Sequence, residues 1–147
     1  MNKGDIVKIY FAGSIRGGRA DVAIYAQIIK HLKTYGTVLD EHIGDPKLQE
    51  YGETDLGDAA VKTRDQAWIN EADVVIAELS SPSHGVGYEV GLAMHLGKPI
   101  LGLFREQPGR RPSPMIAGSS LVQIYQYKSA DQLPKMLDQF FAELAKS

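Results

Sequence analysis

The sequence predicts an α/β fold built on a five-stranded parallel sheet with helices on both faces, and three observations predict it. Short β-rich runs alternate along the 147 residues with segments whose apolar residues recur at helical spacing. Glycine-rich stretches follow the first and third of these runs and lead into helical segments, as they do where an open sheet collects its chemistry at the carboxyl ends of strands. The run Asp73-Val74-Val75-Ile76-Ala77-Glu78 is apolar through its middle, as a strand buried on both faces must be.

Taken in order, Ile6 to Ala12 is the first strand. After the loop Gly13-Ser14-Ile15-Arg16-Gly17-Gly18-Arg19, a helix is marked by Val22, Tyr25, Ile28, Ile29 and Leu32, and glycine punctuates it at Tyr35-Gly36. Thr37-Val38-Leu39 is a brief second strand that ends in Asp40-Glu41-His42. Residues 44–57, with several glycines, a proline and mixed charges, read as a mobile loop. A helix from Leu56 to Glu71 leads to the third strand, 73–78, and Ser80 to Gly87 is the loop that follows. The next helix starts near Val86 and runs to Leu96-Gly97. Lys98-Pro99 introduces a fourth strand, Ile100 to Phe104. Residues 105–119 are a long loop rich in Arg, Pro, Gly and Ser. Leu121 to Tyr125 is a fifth strand and Ala130 to Leu144 a final amphipathic helix. The expected architecture is a flavodoxin-like or Rossmann-like three-layer sandwich, forming one domain over residues 1–147.

Composition narrows the function classes. A formal net charge of -2 argues against a large nucleic-acid or membrane surface but leaves room for a small anion pocket. No cysteine is present, which excludes disulfides, thiolate metal sites and a cysteine nucleophile. His31, His84 and His95 show no ligand spacing with one another, so neither a metal nor a cofactor is expected. No apolar run approaches the roughly 18 residues of a membrane span, and the expected location is the cytoplasm.

The stretch from Ser83 to Ala93 concentrates the chemistry. Its glycines break off after the apolar third strand, and Glu89 then falls in the first turn of the expected helix, where the positive end of the helix dipole favours an ionised carboxylate. That suits a nucleophile or an electrostatic stabiliser, although an acid there also simply complements the dipole. Ser83 can donate to an anion or cap the helix. Asp65, three residues before Trp68, becomes a second carboxylate beside Glu89 if it is aimed at the sheet's carboxyl edge, and is otherwise a solvated helix residue. Two acids about 5 Å apart suit retaining glycosyl transfer, with one as nucleophile and the other as general acid/base. Tyr10 ends the first strand, where a core aromatic is the plain alternative, and His42 ends the second. The first loop lacks both the Walker and the dinucleotide glycine spacing. It offers backbone N–H groups, the Ser14 hydroxyl and two guanidiniums, Arg16 and Arg19, which match a phosphate monoester unless the loop is only a tight turn.

With these residues in view, the chain resembles the nucleoside 2-deoxyribosyltransferase superfamily, and most of all its 2'-deoxynucleoside 5'-phosphate N-hydrolase branch. The matching motifs are Tyr10 to Arg19, Glu41-His42, Asp65 within Arg-Asp-Gln-Ala-Trp, Ala72 to Glu78, Pro82 to Gly91 and Ser113-Pro114-Met115-Ile116. They run over nearly the whole chain, in order.

The resemblance implies that Glu89 attacks the anomeric carbon of deoxyribose to form a glycosyl-enzyme ester. It implies that Asp65 handles the proton at the leaving base and the incoming water, and that Tyr10 holds Glu89 in place. Ser14, Ile15, Arg16, Gly17, Arg19, Ser83 and Gly87 would enclose the 5'-phosphate and sugar, with Gly13, His42, Gly85 and Met115 completing the substrate-binding set. Ile15 facing the sugar would disfavour a 2'-hydroxyl. Ser113 would reach the phosphate from a neighbouring subunit, which implies a homodimer with shared sites and a deoxynucleotide as the small-molecule partner. Neither a nucleic-acid polymer nor a membrane is an expected partner. The rival readings are a base-exchanging transferase, a ribonucleotide N-hydrolase and a non-catalytic nucleotide sensor.

Overall fold

A computed structural model of the chain describes residues 7–15, 21–47 and 56–147. Its first half runs β1 (Val7–Ala12), α1 (Val22–Leu32), β2 (Gly36–Val38), α2 (Asp58–Glu71) and β3 (Val74–Glu78). The second half runs α3 (His84–His95), β4 (Ile100–Arg105), α4 (Pro114–Ala117), β5 (Val122–Tyr127) and α5 (Leu133–Leu144). Every strand pair is parallel and the order is β2-β1-β3-β4-β5, so the expected parallel five-stranded sheet is observed, in the flavodoxin-like arrangement.

Period-two alternation along the strands sorts the interior into two layers. Ile9 and Phe11 of β1 and Val74 and Ile76 of β3 pack with Tyr25, Ile28 and Leu32 of α1 and Leu137 and Phe140 of α5. Tyr10, Ala12, Val75 and Ala77 face the other way, onto Ile69 of α2 and Val86, Val90 and Ala93 of α3. Because β1 sends its next connection to one side and β3 its own to the other, the strand order reverses between them. A crevice opens there at the carboxyl edge.

Several boundaries differ from those expected, each for a local reason. Gly36 does not punctuate α1, which ends at Leu32; it opens β2 instead, paired with Val7. Only glycine fits, because a Cβ there would lie 1.9 Å from the Val7 carbonyl oxygen. Beyond Val38 the chain leaves the sheet for a 3-10 turn, Glu41–Gly44, so the segment expected as a mobile loop begins with structure. Gly44 in that turn packs against Ala26 and Ile29 of α1. Residues 48–55 of the same segment lie outside the described residues.

Helix α3 starts at His84, two residues early, because the Ser83 hydroxyl accepts the Val86 N–H at 3.3 Å and caps it. Its far end is closed by Gly97 (φ 71°), with Gly97 N–H bonded to Met94 O and Lys98 N–H to Ala93 O, the Schellman pattern. The long loop 105–119 contains α4, capped by Ser113 with Pro114 at its first position. The fifth strand extends to Tyr127, and the last helical segment divides into a 3-10 turn, Ala130–Gln132, and α5.

Side chains stitch the carboxyl edge together. The Tyr127 hydroxyl donates to buried Glu78, which also accepts the Ser80 N–H at 2.6 Å. The Ser80 hydroxyl accepts the Arg105 N–H at 2.8 Å, and Arg105 Nη1 reaches Asp21 at the start of α1, at 2.9 Å. Among the described residues no helix is long and apolar enough to cross a membrane.

The Gly36–Val7 approach carries a prediction. Gly36→Ala drives a methyl into backbone and is expected to cost about 2–3 kcal/mol in urea unfolding. Gly102→Ala meets mainly the rotatable Leu79 side chain, at 2.8 Å, and is expected to cost about 1 kcal/mol. Equal losses at the two positions would show that β2 shifts freely on β1.

Candidate active site

The crevice between β1 and β3 is where the chain brings its acids together. Tyr10, in the buried middle of β1, points toward α2 and α3, and its hydroxyl donates a hydrogen bond to Glu89 Oε2. Burial, then the neighbouring Glu89, Asp40 and Asp65, hold the phenol far above its ordinary ionisation range, so Tyr10 is a fixed donor.

Glu89 itself is displaced from its expected place. With α3 beginning at His84, Glu89 is in the second turn, and the first turn contains no acid. The helix dipole therefore does not govern its charge. Desolvation pushes its carboxyl up to about 7; the Tyr10 hydrogen bond opposes that shift and the Asp65 charge adds to it. The expected readily ionised carboxylate is instead one poised between its two forms at neutral pH.

Asp65 does face Glu89. The two line a groove of about 320 Å³ between α2 and α3, together with Gln66, Gly85 and Tyr88. Arg64 holds the Asp65 carboxylate through Nε at 3.0 Å and Nη2 at 2.9 Å. The Arg64 guanidinium also lies 4.6 Å over the Trp68 ring. His42, in the turn after β2, has its ring 5.8 Å from that of Trp68. Asp65, Arg64, Trp68 and His42 thus form one connected row of side-chain contacts.

The first loop is only partly described. Gly13 is required because a Cβ would sit 2.9 Å from Phe11 and 3.1 Å from Tyr25. Ser14 is completely buried and gives its N–H to the Tyr25 hydroxyl at 3.1 Å, so that amide is not available to an anion, contrary to expectation. Ile15, expected to face the sugar, is half-buried and packs against the α1/α5 layer. Arg16, Gly17 and Arg19 lie outside the described residues.

Ser83, Gly87, Ser113 and Met115 line a second, larger cleft of about 790 Å³, which Arg110 and Arg111 also border. Ser83 and Ser113 both act as helix caps, Ser113 by accepting the Met115 N–H at 3.2 Å. A Cβ on Gly87 would meet nothing within 4 Å, and one on Gly85 only the Ser83 hydroxyl at 3.8 Å. Glycine inside a helix costs about 1 kcal/mol relative to alanine, so packing within this chain does not explain these two. They keep the faces of both clefts bare. Among the described residues no cluster of three His, Asp or Glu side chains suits a metal ion.

Two participants escaped the sequence reading. Arg64 was legible only as part of a motif, although a cation next to an acid is its own signal. Asp40 stands directly after a strand of β-branched and apolar residues, yet nothing in that pattern shows that it is buried to 1% exposure.

Comparison with known proteins bears on this geometry. The sequence profile of the nucleoside 2-deoxyribosyltransferase family matches residues 9–118. A 5-hydroxymethyl-dUMP N-hydrolase of Mus musculus is 49% identical over 137 residues, covering 90% of this chain and 79% of that protein. One from Danio rerio is 46% identical over 144 residues, covering 96% of this chain and 100% of that protein. Among solved structures, the CMP N-glycosidase BcmB of Clostridium botulinum superposes with a TM-score of 0.67. It shares 20% identity and covers 90% of this chain and 98% of its own, a likeness of fold.

The poised carboxyl of Glu89 predicts a pH-dependent stability. Because its folded value, about 7, lies above the ordinary glutamate value of 4.5, the folded state keeps a proton that the unfolded chain gives up. The stability this supplies is complete below about pH 4.5 and is lost as pH rises through about 7. Glu89→Gln removes the ionisation, so at about pH 8 the variant is expected to be about 3 kcal/mol more stable than the parent. The difference should shrink toward about pH 4.5 in urea titrations. Parallel stability curves for the two proteins would show that Glu89 ionises as easily in the fold as out of it.

Proposed function

The chain belongs to the nucleoside 2-deoxyribosyltransferase family, and on that premise we propose that it hydrolyses the N-glycosidic bond of 2'-deoxyribonucleoside 5'-monophosphates to free base and 2-deoxyribose 5-phosphate. The observation that carries the proposal is the Tyr10–Glu89 hydrogen bond with Asp65 beside it, set at the crevice where the strand order reverses. Relatives 46–49% identical are named as N-hydrolases of a deoxynucleotide, which supports the same reading.

The chemistry follows from the charges. As the C1'–N bond breaks, its electron pair goes to the base and positive charge builds on the sugar, where an ionised Glu89 stabilises it and bonds to C1'. In the reacting form Glu89 is ionised and Asp65 holds the single proton of the pair, which it delivers to the departing base. In the second half, Asp65 takes a proton from water as the water oxygen attacks C1' and the ester bond to Glu89 breaks. Tyr10 orients the nucleophile and, by its hydrogen bond, lowers the pH at which Glu89 ionises. Gln66 and Tyr88 border the groove that would receive the base.

Phosphate recognition is assigned to Arg16, Gly17 and Arg19 with Ser83 and Gly87. Binding there, remote from the broken bond, positions the sugar against Glu89. An anion pocket of this kind favours hydrolysis of nucleotides over base exchange between unphosphorylated nucleosides. The reading includes a homodimer, in which Ser113 of one subunit completes the phosphate site of the other. Supporting it, Met115 is 82% exposed, Leu121 58% and Tyr88 55%, apolar groups near α3 and α4 that one chain leaves uncovered. A cytoplasmic location is part of the same reading.

Base release from four deoxynucleoside monophosphates, each beside its nucleoside and ribonucleotide, tests the activity. Release confined to deoxynucleotides is expected; turnover of nucleosides only with an added acceptor base would make the protein a transferase. Glu89→Ala should lower kcat by at least about 10³-fold while leaving nucleotide binding intact. The acid limb of kcat/KM should lie near pH 7 and move upward in Tyr10→Phe, which loses the bond that favours the anion. Ser113→Ala should raise KM for the nucleotide about tenfold with kcat nearly unchanged. Sedimentation should give twice the 16.1 kDa chain mass, and a monomer would remove Ser113 from the partner's site.

A further inference from the structure

Asp40 is a buried acid next to this machinery that the proposed reaction does not use. It follows β2, where the chain turns out of the sheet, and only 1% of it is exposed. Its Oδ1 accepts the Phe11 N–H at 2.9 Å, taking the place of the backbone acceptor that a longer β2 would supply. Its Oδ2 is buried without a hydrogen-bond partner among the described residues.

Among the described residues, the charged groups that act on it are acids, Glu89 from α3 and Asp65 from α2, and the Tyr10 hydroxyl of β1 lies against Glu89. Among the described residues, Arg64 is engaged with Asp65 at 2.9 Å and Lys33 with Glu41 at 2.7 Å. His42, two residues on, lies against Trp68. A carboxylate in this position would face two more acids in a dry environment, supported by two backbone N–H groups, those of Phe11 and of Asp40 itself, and burial outweighs that support in favour of keeping the proton. A neutral carboxylic acid fits the same space, with its carbonyl oxygen still accepting the Phe11 N–H.

We propose that Asp40 is a positioning residue that works as a neutral carboxylic acid. It fixes the end of β1, and so Tyr10, and by staying uncharged it leaves Glu89 able to ionise near neutral pH. Burial and the two acids push the proton affinity of Asp40 in the direction this requires. The inference rests on Glu89 being the nucleophile.

Two variants and two readouts test it. Asp40→Asn keeps the shape and the neutral charge; Asp40→Ala removes the Phe11 contact. The infrared difference spectrum of the parent minus D40N at about pH 7 should show the carbonyl band of a protonated acid, a readout that needs no activity. D40N should keep kcat within about threefold and the acid limb within about 0.3 pH unit of the parent. D40A should lose kcat at least about tenfold with a smaller change in KM. A missing band, or an acid limb that falls by about one unit in D40N, would mean that Asp40 is charged and would overturn the proposal. So would D40A with the parent's kcat, or D40N as impaired as D40A. Should D40A not fold, the spectrum and the D40N profile decide the matter. If the parent itself releases no base, the enzymatic reading fails while the infrared band still reports the charge of Asp40.

Discussion

Where β1 and α3 converge, the buried Tyr10 hydroxyl and the half-buried Glu89 carboxyl meet at the inner end of the groove, and each is the other's partner. Separating them would leave a phenol or a carboxyl unpaired in an apolar layer formed by Val75, Ala77, Val86 and Val90, which is far more costly than losing an exposed contact. The bond therefore fixes how α3 sits over the sheet as well as where Glu89 points. It also explains how a carboxyl can be buried here without being locked in one protonation state, since desolvation and the phenol's hydrogen bond pull in opposite directions.

The rest of the carboxyl edge is organised to keep that meeting point still. β2 is only three residues long, and Asp40 continues its ladder with a side chain. On the other side, Tyr127, Glu78, Ser80, Arg105 and Asp21 form one hydrogen-bonded row across the ends of β5, β3 and β4 to the start of α1. Each member satisfies a group that would otherwise be buried without a partner. Both neighbours of β1 are thus tied by side chains just where backbone pairing runs out.

The architecture was legible because strands buried on both faces carry a strong apolar signal, as Val74 to Ala77 do, and because alternation with helices leaves little topological choice. The acids and the tyrosine were legible through their motifs. What escaped depends on contacts distant in sequence. The start of α3 reads late in the sequence because Gly85 and Gly87 are poor helix formers. Gly36 read as a helix stop, when its role is the closeness of Val7 across the ladder. The ionisation of Glu89 turns on the same boundary: two residues of helix register take it out of the first turn, and desolvation is the largest influence on its charge. Ile15 followed the apolar layer nearest to it, as a β-branched residue beside a core will.

Trp68 adds a consequence of a different kind. It is the chain's single tryptophan, and it stands one helical turn from Asp65, beneath the Arg64 guanidinium and beside the His42 ring. All of the protein's indole emission therefore arises against Arg64 and His42, one helical turn from Asp65. The molecule has a built-in optical probe there, and any ligand that moves Arg64 or His42 writes its arrival into the fluorescence without a label.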